Sequence, residues 1–540
     1  MECSGRWLGV TEEEGVTIVL FDFIGRPSTS RSLHCDIMAI ERTPHGLLAL
    51  PEELIAQIAT YLPPTDLFAT RLTHRTLLTA SEFHFGHVHF RKRGFMLTEA
   101  SLSVLQSIST GPNLRKHVQH VWFNPDCYTF VRPDCAPSAE EAPDPDDPDS
   151  LLKLLSNKDR QRYVAYRECM QGHVSLIAKT GAKLQTLLIE IFSNLPNLKI
   201  IGMRRSEDHA PYGWRTLMDA VGEDPRVLGP TPSGPKYFLS GSTRLFVALM
   251  NAVAASDIQL RRLYTDAVEI DNILTERLPD DVLTKACASI WYLELNATLA
   301  WVNKRKNADY KQLLVGDGYG DELARILHAC TSLQELGLQL WETKRQHYSL
   351  QTSTQYSTDW WSQKYPAASF SKIATINPVN LAYLTRVKLE KVVAEPATFQ
   401  AFLAPSQNTL ISLKVRDVRL LSTPSCQRPW QPVFAFLRDE CPQLDYLFLY
   451  HLLCNEGGVS FVDLASVPAL EVEITGLDQS TGDDVSAFTK YEYISLELKG
   501  REEVREKLRT LEYEHFYQGP VFSYAIDEGV WHTDTSDEEW

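Results

Sequence analysis

The sequence predicts an α/β fold in which a short helical unit near the N-terminus is followed by an irregular stack of helix–strand units. Three observations predict it. A phrase of aliphatic residues recurs along most of the chain, ending each time in a short alternating run. Most copies follow a stretch with helical periodicity. The segment from Leu47 to about Gly94 carries its own pair of capped helices.

Residues 1–45 hold Ser, Thr, Arg and Gly without a sustained period and are expected to form a poorly ordered leader, with Met38 a second possible start beside Met1. The helical unit, 46–94, begins where Pro51 occupies a first turn and Glu52 and Glu53 favour its positive end. Leu54, Ile58, Tyr61 and Leu62 share one stripe, which Ile55 and Ala59 widen. The helix is expected to stop at Pro63-Pro64. Thr65 or Asp66 then caps a second helix bearing Leu67, Phe68 and Leu72, with Arg71 and Arg75 on its exposed side. At roughly fifty residues such a unit has a marginal core of its own. Its apolar residues exceed what one intrachain face needs, so a partner should cover some of them.

The recurring phrase, spaced L-x-x-L-x-L, appears as Val118, Val121, Phe123; Leu195, Leu198, Ile200; and Leu260, Leu263, Thr265. It continues as Ile290, Leu293, Leu295; Leu333, Leu336, Leu338; and Leu384, Val387, Leu389. The last copies are Leu410, Leu413, Val415; Leu444, Leu447, Leu449; and Val467, Leu470, Val472. This is the strand signature of a leucine-rich repeat. Thr98 caps a helix running to Gly111, Ser242 one running to Ala255, and Asp321 one whose Leu323, Ile326, Leu327 and Cys330 fall on one face. Pro396 opens another with Phe399, Phe402 and Leu403. A helix–strand unit cannot bury its apolar face alone, so the units should stack into a parallel solenoid.

The spacing of copies is uneven, which predicts a degenerate array: first units at 95–132, then a domain at 151–515 with an insertion at 341–370. Between them Pro133 to Ser150 holds seven acidic residues, five prolines and no basic residue, the composition of a disordered loop. Residues 516–540 form a C-terminal segment with an acidic tail, Asp537, Glu538, Glu539 and Trp540.

The balance of 53 Lys+Arg against 69 Asp+Glu gives a net charge of −16, which argues against a nucleic-acid-binding body. No apolar run approaches a membrane span, and Glu12, Glu13 and Glu14 stand where a signal peptide would need basic residues. Neither a nucleic acid nor a membrane is expected as partner. Ten cysteines without a C-x-x-C pair read as buried thiols of a reducing compartment, either cytoplasmic or nuclear.

No cofactor or metal is expected. His84-x-x-His87-x-His89 lacks a fourth ligand at a matching spacing, and its alternation with aromatics over Phe83 to Phe90 reads as a half-buried strand. Gly316-Asp317-Gly318-Tyr319-Gly320 is not a dinucleotide fingerprint and reads as a loop. No H-E-x-x-H, G-x-S-x-G or phosphate-loop motif occurs, while scattered Ser, His and Asp stay compatible with a catalytic site that no motif marks.

Leu50-Pro51-x-Glu53-Leu54-Ile55-x-x-Ile58-x-x-Tyr61-Leu62-x-x-x-Asp66-Leu67, followed by Arg71-Leu72-Thr73-His74-Arg75, resembles the F-box. The layout is similar to that of F-box proteins of filamentous fungi, in which degenerate leucine-rich repeats follow the motif. Two departures stand out: Thr76-Leu77-Leu78 replaces an aromatic that often follows the second-helix Arg, and His74 replaces a small residue or Cys. The resemblance implies a substrate receptor of a Skp–cullin–F-box ubiquitin ligase, with no chemistry of its own. It implies that Leu50, Pro51, Leu54, Ile55, Ile58, Leu62 and Leu67 face a Skp-type adaptor, that a cullin joins through the adaptor, and that the repeats hold a protein substrate. The alternative is a leucine-rich-repeat interaction scaffold without a ubiquitin-ligase role.

Strand alternation adds a candidate substrate surface. The fourth and sixth positions of the phrase point inward, which exposes Lys388 and Glu390, Lys414 and Arg416, and Phe448 and Tyr450 on neighbouring strands.

Overall fold

The computed structural model describes residues 6–13, 16–22, 46–125, 152, 155–177, 182–204, 210–222, 224, 238–269, 278–299, 321–342, 381–421, 426–454, 457–459, 495–511 and 516–518. Strands β1 (Arg6–Glu13) and β2 (Val16–Asp22) pair as an antiparallel hairpin, Arg6 opposite Asp22 and Glu13 opposite Val16. The expected poorly ordered leader therefore contains paired strands. Val16–Phe21, too short to cross a membrane, is apolar and β-branched enough to form a strand.

Four short helices follow: α1 (Glu52–Ala59), α2 (Pro64–Thr73), α3 (Arg75–Ala80) and α4 (Glu82–Phe90). The cap of α2 is Pro63, with Pro64 the first helical residue, in place of the expected Thr65 or Asp66. Proline is suited to that first turn because its missing N–H would be unsatisfied there anyway. Phe83–Phe90, expected as a strand, is the helix α4. Its buried residues are Phe85, Gly86 and Phe90, so the alternation of His with aromatics did not mark the buried face. Tertiary packing of these rings overrides their strand propensity.

The chain then alternates β3 (Lys92–Met96), α5 (Glu99–Thr110), β4 (His120–Asn124), α6 (Asn157–Ile177), α7 (Ala182–Ser193), β5 (Ile200–Met203), α8 (Trp214–Val221) and α9 (Phe238–Ala255). Next come β6 (Arg262–Glu269), α10 (Asp280–Cys287), β7 (Tyr292–Leu299), α11 (Asp321–Ala329), β8 (Glu335–Glu342), β9 (Arg386–Glu390), β10 (Val393–Ala394) and α12 (Pro396–Leu403). The last group is β11 (Ser412–Arg416), β12 (Arg419–Leu420), α13 (Trp430–Glu440), β13 (Tyr446–Tyr450), β14 (Leu453–Cys454), β15 (Gly457–Val459), β16 (Ser495–Lys499), α14 (Arg501–Leu511) and β17 (Phe516–Gln518).

Ten strands form one sheet in the order β3-β4-β5-β6-β7-β8-β9-β11-β13-β16. The strands from β3 to β13 are parallel, and β16 closes the end antiparallel to β13. Parallel neighbours require a crossover, which the intervening helices supply. The second and third aliphatic places of the phrase stand in register: Leu263 beside Leu293, Leu336 beside Val387, Leu413 beside Leu447. All are buried, in one core that runs from the helical unit to Leu511. A second sheet, β10-β12-β14-β15-β17, lies where the chain turns after β9, β11 and β13.

Three readings shift by a few residues. In the second copy the strand pairs Ile201 with Val121 and Met203 with Phe123, so the working phrase is Leu198, Ile201, Met203 rather than Leu195, Leu198, Ile200. Both phrasings satisfy the same spacing, and burial selects the later one because Ile200 is half-buried while Ile201 and Met203 are fully covered. Helix α9 begins four residues before Ser242, which is buried inside it. A strand precedes the first expected copy: Arg93 of β3 pairs with Val121, and Phe95 with Phe123. Thr98 and Gly111 cap α5 as expected, Thr98 Oγ1 accepting from Ser101 N at 3.3 Å.

Trp341 belongs to β8 and not to an insertion. The rest of 341–370 beyond Glu342, the copy at Val467, the acidic loop 133–150, Gly316–Gly320 and the tail 519–540 lie outside the described residues. Of the described cysteines, Cys287, Cys330, Cys441 and Cys454 are buried thiols, whereas Cys169 and Cys426, against expectation, are half-buried. No helix of the described residues is long and apolar enough to cross a membrane.

Candidate functional site

Two surfaces gather the residues singled out by sequence. The first is the exposed face of the sheet at β9, β11 and β13. Lys388, Lys414 and Phe448 form one row across these strands, and Glu390, Arg416 and Tyr450 the next. Arg416 stacks over the Tyr450 ring with its guanidinium carbon 5.2 Å from the centroid, and Lys414 Nζ is 5.6 Å from the Tyr446 ring. The Phe448 and Tyr450 rings are parallel within 1° at 6.5 Å. Cations therefore lie against an aromatic ladder, an arrangement that holds their side chains flat and extended. Lys388 and Arg416 keep 42% and 47% of their side-chain surface in contact with solvent.

Glu390 departs from the expected exposure. It is buried, accepting a hydrogen bond from Gln339 Nε2 at 2.8 Å, with Lys388 Nζ at 3.9 Å. Carboxylates stand beside these cations: Glu390 is 3.9 Å from Lys388, Asp417 Oδ2 is 3.5 Å from Arg416 Nε, and Glu497, opposite Phe448 in register, interacts with Lys414.

At the end of each of these strands the backbone turns left-handed at a non-glycine residue: Lys391 (φ 54°), Asp417 (φ 51°) and His451 (φ 49°). Asp and His tolerate this region better than most residues. The turn at Lys391 is fixed by its N–H donating to Arg416 O, and the turn at Asp417 by its N–H donating to Tyr450 O, each at 3.0 Å. His451 Nδ1 lies 2.7 Å from Asp417 Oδ1. Burial pushes the Lys391 ammonium down to about 8, against the opposing pull of Glu390 and Asp417.

Nearer β4, the same face carries a tighter network that the sequence reading did not single out. His120 Nε2 meets the Tyr264 hydroxyl at 2.7 Å, Arg204 pairs with Glu294 at 3.2 Å, and Tyr292 donates to Glu294 at 2.9 Å. Burial raises the Glu294 carboxyl, yet Arg204, Lys388 and the Tyr292 hydroxyl together hold it below its usual range. Burial pushes His120 well down, with Lys92, Arg262 and Arg204 adding to the shift. Tyr264 lies flat across Gly202, where a Cβ would come within 1.9 Å of its ring. A row-by-row reading of alternate strand residues would have found this network, since Gly202, Tyr264 and Glu294 are consecutive in register.

The second surface is the helical unit. Pro51 caps α1, and Glu52 and Glu53 stand in its first turn. Ile55 packs with Leu77 and Ala80 in a small core, while Ala59 and Leu67 enter the main core. Leu50, Leu54 and Ile58 remain 36%, 45% and 38% exposed, with Tyr61 and Leu72 more so. The seven residues expected to face an adaptor thus divide. Leu50, Pro51, Leu54 and Ile58 are exposed, Leu62 is half-buried, and Ile55 and Leu67 are enclosed by the chain itself.

Residues 47–82 match the F-box domain family. The chain carries an F-box domain. No curated protein matches the chain. His74, one of the two departures, interrupts the F-box helices: its extended backbone ends α2, and its Nδ1 accepts from Thr76 N at 3.2 Å to cap α3. Arg71 is not on an exposed side. Its guanidinium donates to Leu78 O and Ser81 Oγ, both at 3.1 Å, and sits 3.8 Å from the Phe85 ring centroid. Burial pushes Arg71 down to about 10, with Glu82 opposing.

The F-box is joined to the sheet through α4. Phe68 meets Phe85 edge-on at 5.2 Å, and Phe85 and Phe90 belong to the same core as the strands. Gly86 faces the His117 ring so closely that a Cβ would lie 2.2 Å away. His89 lies between Phe68 and Phe85, and burial, with Arg93, His84 and Arg71 adding, pushes it down to about 4. Among the described residues no three His, Cys, Asp or Glu side chains converge as a metal site.

Proposed function

We propose that the protein is the substrate-recognition subunit of a Skp–cullin–F-box ubiquitin ligase. The observation that carries this reading is an F-box domain whose Leu50, Pro51, Leu54 and Ile58 stand exposed on one side. Leu50, Leu54 and Ile58 keep 36%, 45% and 38% of their surface in water. Full burial of such a side chain is worth about 1.5–3 kcal/mol, so covering the remainder is worth about 1 kcal/mol each, which supports docking of a Skp-type adaptor and, through it, a cullin. Leu62, Ile55 and Leu67 act from within, by holding the docking helix in place.

The parallel strands, in chain order with an aliphatic phrase in register, support a degenerate leucine-rich-repeat-like solenoid of the kind that follows the F-box in filamentous-fungal proteins. Its exposed strip at Lys388, Lys414, Arg416, Phe448 and Tyr450 is the surface we assign to a protein substrate. Arg and Tyr supply contact area together with directional bonds, and Lys414 beside Arg416 favours an acidic segment.

From β3 to β11 the sheet advances seven strand spacings, about 34 Å at ~4.8 Å each. Because the F-box and the sheet share one core, this separation is held rather than wandering. The receptor performs no bond chemistry. It raises the effective concentration of a substrate lysine beside the ubiquitin-charged enzyme. No cofactor, nucleic acid or membrane enters this role, which belongs to the cytoplasm or nucleus.

The test is capture of a Skp-type adaptor and a cullin by the full chain. Leu54→Asp with Ile58→Asp should abolish both, by placing charges against an apolar partner. Retention of the adaptor by the folded double variant would sink the proposal, and adaptor without cullin would favour the scaffold reading.

A further inference from the structure

The strip at β11 and β13 has a chemistry that one segment of this chain complements. Its cations, Lys388, Lys414 and Arg416, border an aromatic ladder formed by Tyr446, Phe448 and Tyr450. Residues 519–540 contain Asp527, Glu528, Asp534, Asp537, Glu538 and Glu539, two tryptophans, Trp531 and Trp540, and no Lys or Arg. Carboxylates suit the cations, and indole rings suit both a cation and an aromatic neighbour.

The topology brings this segment to the strip. Strand β17 ends at Gln518, which pairs with Gly457 of β15. Gly457 pairs with Cys454 of β14, and Leu453 of that strand pairs with Arg419 of β12. Arg419 follows Arg416 by three residues. Three strand spacings of ~4.8 Å and four residues of ~3.3 Å, one along β14 and three from Arg419 back to Arg416, place Gln518 within about 28 Å of Arg416. Residues 519–533, at up to ~3.3 Å each, reach about 50 Å, so the acidic run from Asp534 spans the gap with chain to spare.

We propose that the acidic, tryptophan-bearing segment 527–540 docks on the Lys388/Lys414/Arg416 strip of its own chain and occupies the substrate surface until an acidic partner displaces it. The inference rests on the assignment of that strip as the substrate surface, but not on ubiquitin transfer. A tethered segment acts at a local concentration of order millimolar, so a weak contact suffices to keep the strip covered.

Carbodiimide coupling of the monomeric full chain tests the contact, because it links a carboxylate to an amine only where the two touch. We expect amide links from Asp534, Asp537, Glu538 or Glu539 to Lys388 or Lys414, and at least tenfold loss of the Lys388 link in Arg416→Glu. Absence of these links, or an even spread of tail links over other surface lysines, overturns the inference. A labelled peptide of residues 526–540 gives the second readout. It should bind at least tenfold more tightly to a full-length variant with the six tail carboxylates changed to Asn or Gln than to the unaltered chain. Equal binding to both overturns the inference. The two readings fail separately: Lys414→Glu with Arg416→Glu leaving the captured partners unchanged removes the substrate assignment, while the coupling result decides the tail contact by itself.

Discussion

The F-box and the sheet are built from the same kinds of residue, yet they finish their burial differently. In the sheet, Leu413 and Leu447 are entirely covered, since β11 and β13 each have a strand on either side. In the F-box, α1 turns Ile55 and Ala59 inward while Leu50, Leu54 and Ile58 stay in solvent. In the sheet neighbouring strands cover one another, whereas among the described residues the outer side of the first helix is left partly exposed. A contiguous apolar face left on an otherwise well-packed chain marks where another molecule completes the fold. Apolar content alone does not separate the two regions; the difference is whether the chain supplies the covering layer.

The strongest way to sharpen this contrast is truncation inside the closed region. Leu413→Ala removes a fully buried side chain at the middle of the sheet, where neighbours on both flanks prevent collapse of the cavity. We expect a loss of about 2–5 kcal/mol, read by urea or thermal unfolding. A loss below 1 kcal/mol would show that the sheet is looser than its packing suggests.

The joint between the two regions should respond next. Gly86→Ala drives a Cβ into the His117 ring, which must shift or push α4 from the sheet. We expect about 1–3 kcal/mol of destabilisation, with protease cleavage appearing first in the F-box. Gly86→Ser should be worse, and an unchanged melting temperature for Gly86→Ala would mean that the ring swings away freely.

Acid probes the same joint. His89 is pushed down to about 4 in the folded chain from an ordinary value near 6.5. The unfolded chain therefore takes up the proton first as pH falls. The stability tied to neutral His89 is fully present above pH 6.5, declines between 6.5 and 4, and levels below 4. Because His89 is only partly buried, the loss is discounted to about 1–2 kcal/mol. His89→Phe should flatten this part of the pH profile, and an identical profile would place the acid sensitivity elsewhere.

How much of this was legible in the sequence follows from what each pattern encodes. The phrase Leu384, Val387, Leu389 predicts β9 because an aliphatic anchor three residues ahead of an alternating pair fixes both the turn and the inward face. The same rule misphased β5, since Leu195 and Leu198 are both buried anchors and only the burial of Ile201 and Met203 over Ile200 selects the phase. It missed β3 because Arg93 holds an aliphatic place at the edge of the sheet, where one flank lacks a strand. The F-box residues were legible, but their division between inside and outside was not. Ile55 and Leu54 are adjacent in sequence and equally apolar, and only the position of Leu77 and Ala80 from a later helix decides which one is covered. At the strip, alternation placed Lys414, Arg416 and Phe448 correctly on one face, whereas the burial of Glu390 depends on Gln339 from a neighbouring strand. That partner stands in an earlier copy, and no local pattern names it.

The smallest effect on stability is expected where the comparison began, on the outer side of the first helix. Leu54 and Ile58 are 45% and 38% exposed, so Leu54→Asp with Ile58→Asp forfeits part of the cover each side chain has, but less than a substitution on the fully enclosed inner face. Both substitutions lower helix propensity, by a few tenths of a kcal/mol each. Position 54 lies near the positive end of α1, where an added carboxylate is favoured, while position 58 lies in its last turn, where one is disfavoured, so the two dipole effects oppose each other. We expect a net loss of about 1 kcal/mol in the unfolding free energy, against complete loss of adaptor capture. The inner face supplies the control. Ile55→Asp puts a charge among Leu77, Ala80 and Leu48, and should cost several kcal/mol while also losing the adaptor. If the double variant on the outer face unfolds as readily as Ile55→Asp, then Leu54 and Ile58 hold the chain together instead of awaiting a partner, and the distinction between a closed sheet and an open F-box fails.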